Sequence, residues 1–390
     1  MAERRHVRVC HPDDVASLLP EALAGEFVLA PVADDAALGA VRPDEPVTEP
    51  DAALIVTTSG STGRPKGVVL SASAIRAAAA SFRTRYGAFT WTLALPAQYV
   101  AGVMVVARGL LDLQWGGQGV RQIGRHLTGL EQVGAEPGSG RNAISIVPTQ
   151  LVRALADTTL TAALARFDAV LVGGAAMSPE VLDRARDAGI VVLTSYGMSE
   201  TCGGCVFDGV PLPGVDVTLG ERGRIALGGP MVFSGYRGDP ETTSSTLVGG
   251  SVVTNDRGEW REDGHGPRRL AVLGRFDDVV ISGGVNVDLA AVQRAVDTVG
   301  RDAAVVDAED AEWGARIVLA TTDAAVDLDW WRQTLRTTLQ PAALPRQVIV
   351  FDELPRTASG KLDRRALRTL VARWGGGRAV RASGQEVVGG

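Results

Sequence analysis

Apolar runs alternate with alanine-rich stretches between residues 52 and 273, and this alternation constrains the fold more than any other feature of the chain. Short β-type runs occur at 54–57, 143–147, 169–172 and 191–194. Helix-type stretches such as 73–80 and 179–188 lie between them. Alternating strand and helix patterns are typical of layered α/β folds. The sequence therefore predicts the α/β class, with a large layered N-terminal domain of mixed sheets and helices.

The pattern changes on either side of this region. Ahead of it we predict one helix at 14–24, one strand at 27–31 and then an acidic, proline-containing link without regular structure. From 221 to 273 the helical pattern stops, and short apolar runs lie between glycine-rich turns. This favours a β-rich subdomain. The large domain is thus expected to span residues 1–274.

After Gly274 the sequence predicts a small α+β domain over residues 275–374. Two short strands flank the pair Gly283–Gly284, and helix and strand patterns follow as far as Trp374. The last residues, 375–390, are glycine-rich and aperiodic. We therefore predict a disordered tail there.

Charge and cysteine content argue against several classes of protein. Lys and Arg number 39 against 45 Asp and Glu, a net charge of -6, so we expect no nucleic-acid partner. The longest strongly apolar run, 99–107, is too short to cross a bilayer, so we expect no membrane insertion. Three cysteines cannot build a disulfide framework, and no apolar leader segment is seen, so the expected location is cytoplasmic.

Lysine is almost absent from the chain. Of the 39 basic residues 37 are arginine, and the two lysines are Lys66 and Lys361. An ammonium group is a compact charge that fits beside a phosphate or carboxylate, whereas a guanidinium group is a wide planar fork. Both lysines are therefore candidate active-site residues.

One of them ends a loop rich in hydroxyl groups and glycine. Residues 57–67 read Thr-Thr-Ser-Gly-Ser-Thr-Gly-Arg-Pro-Lys-Gly, after an apolar strand and ahead of a helix that Ser71 or Ser73 would cap. Glycines let backbone N–H groups turn inward, and hydroxyl groups and a lysine add donors, so this pattern predicts a phosphate-binding loop. It is not a Walker A loop, because Pro65 and Gly67 occupy the positions of its second glycine and its metal-binding hydroxyl. The candidate phosphate-binding residues are Thr58, Ser59, Gly60, Ser61, Thr62, Gly63 and Lys66.

This loop resembles the signature of the adenylate-forming enzymes, which include acyl- and aryl-CoA synthetases, luciferases and peptide-synthetase adenylation domains. The remaining motifs of that family follow in order over residues 52–372. The resemblance implies a ligase that uses ATP, Mg²⁺ and coenzyme A and acts on a small-molecule carboxylic acid. It also implies that the small C-terminal domain is mobile.

Two motifs resemble the nucleotide-binding motifs of the family. The glycine-rich run at 173–176 stands where the family places a loop against adenine, and 196–201 resembles its Tyr-Gly-x-Thr/Ser-Glu block. The resemblance implies that Glu200 holds Mg²⁺ and that Thr201 contacts the α-phosphate. A carboxylate suits Mg²⁺ because this cation prefers oxygen ligands. The implied nucleotide contacts in these motifs are Gly173, Gly174, Ala175, Tyr196, Gly197 and Met198.

The later motifs resemble those at the family's ribose site and in its small domain. The resemblance implies that Asp256 and Arg275 bind the ribose and that Asp277 is the hinge between the domains. Lys361 is implied to bind the substrate carboxylate and the α-phosphate. The small-domain turn that faces the active site during thioester formation is matched by Ser282, Gly283 and Gly284.

Only about fifty residues precede the phosphate loop. In this short N-terminal part the chain resembles the short o-succinylbenzoate–CoA ligases of menaquinone biosynthesis. The segment 95–102 also resembles these ligases. It differs from the family at Tyr99, where the family often has the histidine that gates its thiol channel. Three alternatives stay open at this point: a CoA ligase for another aromatic or fatty acid, an adenylation domain that loads a carrier protein in trans, and a nucleotide sensor without catalysis. The sequence also leaves open whether copies of the chain form a homo-oligomer.

Overall fold

The computed structural model describes residues 5–58, 65–124, 126–133, 140–262, 264, 266–301, 303–357, 362–373 and 379–382. The chain divides into two compact units. The first consists of Met1–Met177, Leu182–Thr254 and Trp260–Ala271, and the second of Ser178–Val181, Asn255–Glu259 and Val272–Gly390. The main division therefore follows Ala271, close to the expected position at residue 274.

The strands are β1 (Val7–Cys10), β2 (Val28–Pro31), β3 (Ala52–Thr58), β4 (Lys66–Ser71), β5 (Thr90–Leu93), β6 (Val120–Gln122), β7 (Asn142–Ile146), β8 (Ala169–Gly173), β9 (Val192–Met198), β10 (Gly203–Phe207), β11 (Val210–Pro211), β12 (Asp216–Leu219), β13 (Arg224–Gly228), β14 (Gly235–Tyr236), β15 (Leu247–Val248), β16 (Ser251–Arg261), β17 (Arg269–Arg275), β18 (Val279–Ser282), β19 (Val285–Asp288), β20 (Ala303–Asp310), β21 (Gly314–Thr321), β22 (Gln347–Phe351) and β23 (Ala379–Ala382). The α-helices are α1 (Val15–Ala24), α2 (Asp35–Val41), α3 (Ala72–Tyr86), α4 (Val100–Asp112), α5 (Pro148–Ala154), α6 (Thr158–Leu164), α7 (Pro179–Asp187), α8 (Pro240–Thr246), α9 (Leu289–Asp297), α10 (Leu328–Leu335) and α11 (Arg364–Ala372).

The central sheet of the first unit has seven strands in the order β11-β10-β9-β8-β7-β5-β6. Neighbouring strands from β6 to β9 are parallel, and β10 and β11 add antiparallel pairs at one edge. The apolar runs predicted as strands form β7 and β8, which are largely buried, as strands of parallel sheets usually are. An aromatic cluster around the fully buried Phe82, Trp91 and Phe207 belongs to the core beside this sheet.

Two further sheets complete the first unit. One has the order β1-β2-β3-β4-β14, and the other has the order β12-β13-β16-β15 with β17 paired to β16. The second of these lies in the region predicted to be β-rich, and the α/β class is confirmed. Within the described part of the chain, no helix combines the length and the apolar character needed to cross a membrane.

The second unit is an α+β structure with the sheet order β19-β18-β21-β22-β23 and β20 paired to β21. Apolar residues of α9 and α10, with Trp331 fully buried, form one core cluster, and residues of α11 form another. Strand β23 pairs in parallel with β22. It lies within residues 375–390, so the expectation of a tail without regular structure is wrong for residues 379–382.

Two local expectations for the first unit are also corrected. The acidic link after β2 contains helix α2, because the side chain of Asp34 accepts a hydrogen bond from the backbone N–H of Ala37 and caps the first turn. Strand β4 stands between the phosphate loop and helix α3, so the loop joins two antiparallel strands. The predicted cap of α3 is correct, since Ser71 Oγ accepts from the N–H of Ala74 at 3.0 Å.

Candidate active site

The ends of the predicted phosphate loop lie opposite each other in the first unit. Strands β3 and β4 pair in antiparallel register, with Thr58 facing Lys66. This pairing brings both ends of the loop to the same edge of the sheet. The other predicted phosphate-binding residues, Ser59, Gly60, Ser61, Thr62 and Gly63, lie outside the described residues.

The two predicted adenine-side motifs follow neighbouring parallel strands. Gly173 at the end of β8 pairs with Ser195 of β9, so the segments after both positions meet at the carboxyl edge of the sheet. Gly173 has no room for a side chain, because a Cβ there would lie 2.9 Å from the Ser195 carbonyl oxygen. Gly174 has a φ of +83° and is exposed together with Ala175. The edge is therefore open, and ligands of α/β sheets bind at such edges.

Gly197 and Met198, at the end of β9, continue this edge beside Tyr196. A Cβ on Gly197 would collide with the carbonyl oxygen of Gly203, so close pairing between β9 and β10 requires glycine there. The sequence predicted these residues from their motif. The structure adds the reason for the glycine.

Glu200 lies in a single 3-10 turn, Ser199–Thr201, directly after β9. Its Oε1 accepts a hydrogen bond of 2.6 Å from the hydroxyl of Tyr236, and its backbone carbonyl accepts from the N–H of Phe233. The ammonium group of Lys66 lies 5.1 Å from the centre of the Tyr236 ring. The structure thus joins two predicted site residues, Glu200 and Lys66, through one that sequence reasoning missed.

Tyr236 gave no strong signal in the sequence, because it is a single tyrosine far along the chain from both partners. Burial, and then the neighbouring Glu200 carboxylate, raises the pKa of the Tyr236 phenol well above its usual value. The phenol is therefore protonated at neutral pH and acts as the hydrogen-bond donor to Glu200.

The side chain of Thr201 contacts the backbone of its own turn. Its side chain is fully buried, and its hydroxyl donates to the backbone carbonyl of Gly203 at 2.9 Å while accepting from the N–H of Met198. These bonds hold the turn that carries Glu200. The expectation that Thr201 contacts the α-phosphate stays a prediction. Ser199, which precedes Glu200, is the partly exposed hydroxyl of this turn.

In the second unit the two predicted ribose residues come together. Arg275 Nη1 lies 3.7 Å from a carboxylate oxygen of Asp256, and the same guanidinium forms two hydrogen bonds of 2.8 Å with Asp277. Hydrogen bonding and charge from Arg275 hold the pKa of Asp277 below its usual value. Asp256, Arg275 and Asp277 thus form one charged cluster next to the expected domain boundary.

The turn at 283–284 joins β18 and β19 as a hairpin. Gly283 and Gly284 have φ values of +58° and +76°, which glycine adopts at low cost. Ser282 is fully buried, and a Cβ on Gly283 would lie 2.6 Å from the Trp313 ring. The turn thus packs closely against the Trp313 ring. Lys361 lies outside the described residues.

Tyr99 immediately precedes helix α4, and residues of this helix approach Gly203 beside the Glu200 turn. Further along α4, Arg108 is only 4% exposed and lies over the rings of Phe82 and Trp91. Its Nε and Nη2 have no hydrogen-bond acceptor among the described residues. Burial lowers the pKa of Arg108 to about 10, so the side chain is still charged at neutral pH. Arg108 follows the apolar run at 99–107, and sequence reasoning gave it no role.

The residues present fit a magnesium ion held together with a substrate. Within the described ranges, no three His, Cys, Asp or Glu residues are grouped so that they could enclose a metal. Mg²⁺ is commonly held by one or two carboxylates and by substrate phosphates. Glu200 supplies an oriented carboxylate for this purpose.

The combination of this fold, the open sheet edge and the Lys66–Tyr236–Glu200 cluster defines a nucleotide-using enzyme. The chain belongs to the AMP-binding enzyme family, whose model matches residues 3–237, and the model of the AMP-binding enzyme C-terminal domain matches residues 298–361. It is an adenylate-forming ligase of the acyl-CoA ligase type.

Three similar proteins indicate which members of this family the chain resembles. The probable 2-succinylbenzoate–CoA ligase of Mycobacterium tuberculosis is 39% identical over 348 residues, which are 87% of this chain and 90% of that protein. Feruloyl-CoA synthase of Amycolatopsis is 29% identical over 401 residues, covering 90% of this chain and 76% of that protein. The solved structure of o-succinylbenzoate coenzyme A synthetase from Bacillus subtilis, in complex with ATP and magnesium ion, has a TM-score of 0.67 at 24% identity, covering 83% and 71% of the two chains.

Proposed function

We propose that this protein joins 2-succinylbenzoate to coenzyme A, with ATP converted to AMP and pyrophosphate. The observation that carries the proposal is the 39% identity with a probable 2-succinylbenzoate–CoA ligase over most of both chains. The related Bacillus subtilis structure, whose complex contains ATP and magnesium ion, supports these two as co-substrate and cofactor. Since ATP and CoA are cytoplasmic metabolites, a cytoplasmic location follows from this proposal.

In the first step a carboxylate oxygen of the acid attacks the α-phosphorus of ATP, and the bond to pyrophosphate breaks. Both reactants are anions, so catalysis consists mainly of positioning and charge neutralisation. Lys361 neutralises the carboxylate and the α-phosphate, and the loop from Thr58 to Lys66 binds the phosphates. Glu200 would hold Mg²⁺, which when bound would neutralise part of the phosphate charge.

In the second step the CoA sulfur attacks the carbonyl carbon of the acyl-adenylate, the thiol proton is lost and AMP departs. Lys361 and the turn at 282–284 lie far apart in the sequence of the small domain. We infer that this domain rotates about Asp277 between the steps and brings the turn to the site. Asp256 and Arg275 bind the ribose, and Tyr99 lines the thiol channel.

Buried Arg108 supports an acid with two carboxylates. In 2-succinylbenzoate one carboxylate reacts and the other stays ionised, whereas ferulate has a single carboxylate. The Asp112 carboxylate offsets part of the charge of this guanidinium, but its Nε and Nη2 have no acceptor among the described residues, and such N–H groups are costly to bury. The helix that carries Arg108 also approaches the turn after Glu200. A second carboxylate of the substrate would provide the missing acceptor.

A ligase for another aromatic acid is the second candidate, favoured by the similarity to feruloyl-CoA synthase. The test measures AMP release with ATP, Mg²⁺ and CoA against 2-succinylbenzoate, benzoate, ferulate and a medium-chain fatty acid. We expect CoA-dependent turnover with 2-succinylbenzoate and little with the other acids. Turnover with ferulate alone would establish the second candidate, and AMP release that does not require CoA would contradict both.

A further inference from the structure

Tyr236 contacts Glu200 and Lys66, two charged residues of the proposed phosphate site that lie among the described residues. Its hydroxyl donates to Glu200 Oε1 at 2.6 Å, a length typical of a bond from a hydroxyl to a carboxylate. Its ring lies 5.1 Å from the Lys66 ammonium, within the range of a cation–π interaction. The side chain of Tyr236 thus contacts both the acidic group of Glu200 and the basic group of Lys66.

The backbone around Tyr236 is held independently of its hydroxyl. Strand β14 pairs with β4, with Tyr236 opposite Val68, and the N–H of Tyr236 donates to Thr243 Oγ1 at 2.8 Å. The ring packs at its edge against Phe233. Removal of the hydroxyl should therefore leave the strand, the ring and the cation–π contact in place, so the two contacts of Tyr236 can be tested separately.

We propose that Tyr236 is a positioning residue for nucleotide binding. Its hydroxyl fixes the orientation of the Glu200 carboxylate, and its ring fixes the Lys66 ammonium at the end of the phosphate loop. A carboxylate that is already oriented loses less conformational entropy when it binds a metal. The saving in entropy is largest for a long, flexible side chain such as lysine. This inference rests on the proposed function, because it takes Glu200 as the magnesium ligand and Lys66 as a phosphate ligand.

The test compares the variants Tyr236→Phe and Tyr236→Leu by calorimetric titration of ATP, with and without Mg²⁺. Tyr236→Phe keeps the ring, so ATP affinity without Mg²⁺ should change less than twofold. Loss of one hydrogen bond to a charged group should raise the Mg²⁺ concentration for half-maximal ATP binding about tenfold. Tyr236→Leu should show the same Mg²⁺ effect and also bind ATP about threefold more weakly without Mg²⁺.

Tyr86→Phe is the matched control. Tyr86 is a partly buried tyrosine of the same unit, and its ring packs against Phe82 and Phe207 rather than beside Lys66 and Glu200. It should match the wild type in both titrations. Thermal unfolding of every variant identifies loss of fold, which would lower ATP binding with and without Mg²⁺ alike.

A double-mutant cycle with Glu200→Ala tests whether Tyr236 affects ATP binding through the Glu200 carboxylate. If Tyr236 acts through Glu200, Tyr236→Phe should weaken ATP binding at a fixed Mg²⁺ concentration near the wild-type half-maximal value, and should cause no further loss at that concentration once the Glu200 carboxylate is absent. An unchanged Mg²⁺ dependence in Tyr236→Phe, or full additivity in the cycle, would overturn the inference. Failure of the wild-type protein to bind ATP with Mg²⁺ would instead count against the proposed function.

Discussion

Arg275 binds Asp277 through two parallel hydrogen bonds, in which Nε donates to Oδ1 and Nη2 donates to Oδ2, each over 2.8 Å. Such bidentate pairing fixes geometry more than it adds stability, because both side chains are nearly half exposed. Asp277 is the residue proposed as the hinge. Its orientation is therefore set by the residue two positions earlier, which is itself proposed to bind the ribose.

Arg275→Met should change the pH dependence of stability at acidic pH. The pKa of Asp277 is lowered chiefly by hydrogen bonding to Arg275, so this pair stabilises the fold above the usual aspartate pKa of about 4 and its contribution is lost as the pH falls below that value. Without Arg275 the pKa should rise towards its usual value. Urea unfolding at about pH 6 and about pH 3 should show a smaller loss of stability on acidification in the variant than in the wild type.

The control for this prediction is Arg8→Met, which removes an exposed ion pair of 3.5 Å with Glu21. It should leave the acid dependence unchanged. An equal loss of stability on acidification in Arg275→Met and in the wild type would contradict the role given to Arg275.

Lys361→Ala should separate the two half-reactions. Removal of a group that neutralises charge in the transition state commonly slows a reaction by about 10²–10³-fold, and we expect a loss of this order in acyl-adenylate formation. Thioester formation from supplied acyl-adenylate and CoA should be nearly unchanged, since Lys361 is assigned to the first step. The measurements are pyrophosphate release for the first half-reaction and acyl-CoA formation for the second. Equal losses in both would refute the assignment.

Arg237→Lys should destabilise the first unit. Arg237 is 8% exposed, and its guanidinium donates to the backbone carbonyls of Val41, Arg42, Glu45 and Pro46, three of these bonds being 3.1 Å long. A lysine cannot reproduce this fork, so these carbonyls, of which that of Val41 belongs to a buried residue, lose their donors at a cost of about 1–3 kcal/mol in unfolding free energy.

Urea unfolding checks this value for Arg237→Lys. The control is Arg8→Lys at the exposed pair with Glu21, where the expected change is below about 0.5 kcal/mol. A change of similar size in both variants would show that the carbonyl contacts of Arg237 contribute little to stability.

Arg108→Met should weaken recognition of the second carboxylate without harm to the fold. The KM for 2-succinylbenzoate should rise about tenfold or more, because a buried charge pair with the substrate is lost. The KM for a monocarboxylic acid that supports measurable turnover should stay the same or fall. Unfolding free energy should change by less than about 2 kcal/mol, since the substitution removes buried N–H groups without acceptors but also removes a positive charge near the buried Asp112 carboxylate.

Steady-state kinetics and urea unfolding together check the role of Arg108. A large loss of stability with unchanged KM values would assign this residue to the core and remove the argument for a dicarboxylic acid. Parallel increases in KM for both kinds of acid would show that the substitution disturbs the site as a whole.

The sequence by itself determined the α/β class and the residues of the motifs. Alternating strand and helix patterns depend on local periodicity, and the glycine, hydroxyl and lysine residues of the phosphate loop are adjacent in the chain, so both can be recognised without knowing the fold. The scarcity of lysine pointed to Lys66 and Lys361 before any motif was considered. Helix capping by Ser71 was likewise a local property.

Only the tertiary structure decided which distant groups meet. Tyr236 reaches Lys66 and Glu200 because β14 pairs with β4, and the burial of Thr201 and Arg108 depends on how α4 and β10 pack. Helix α2 and strand β4 were missed for a related reason, since short elements obtain their stability from packing rather than from local propensity. Contacts between residues far apart in the chain arise from strand pairing and core packing, which leave no periodic pattern in the sequence.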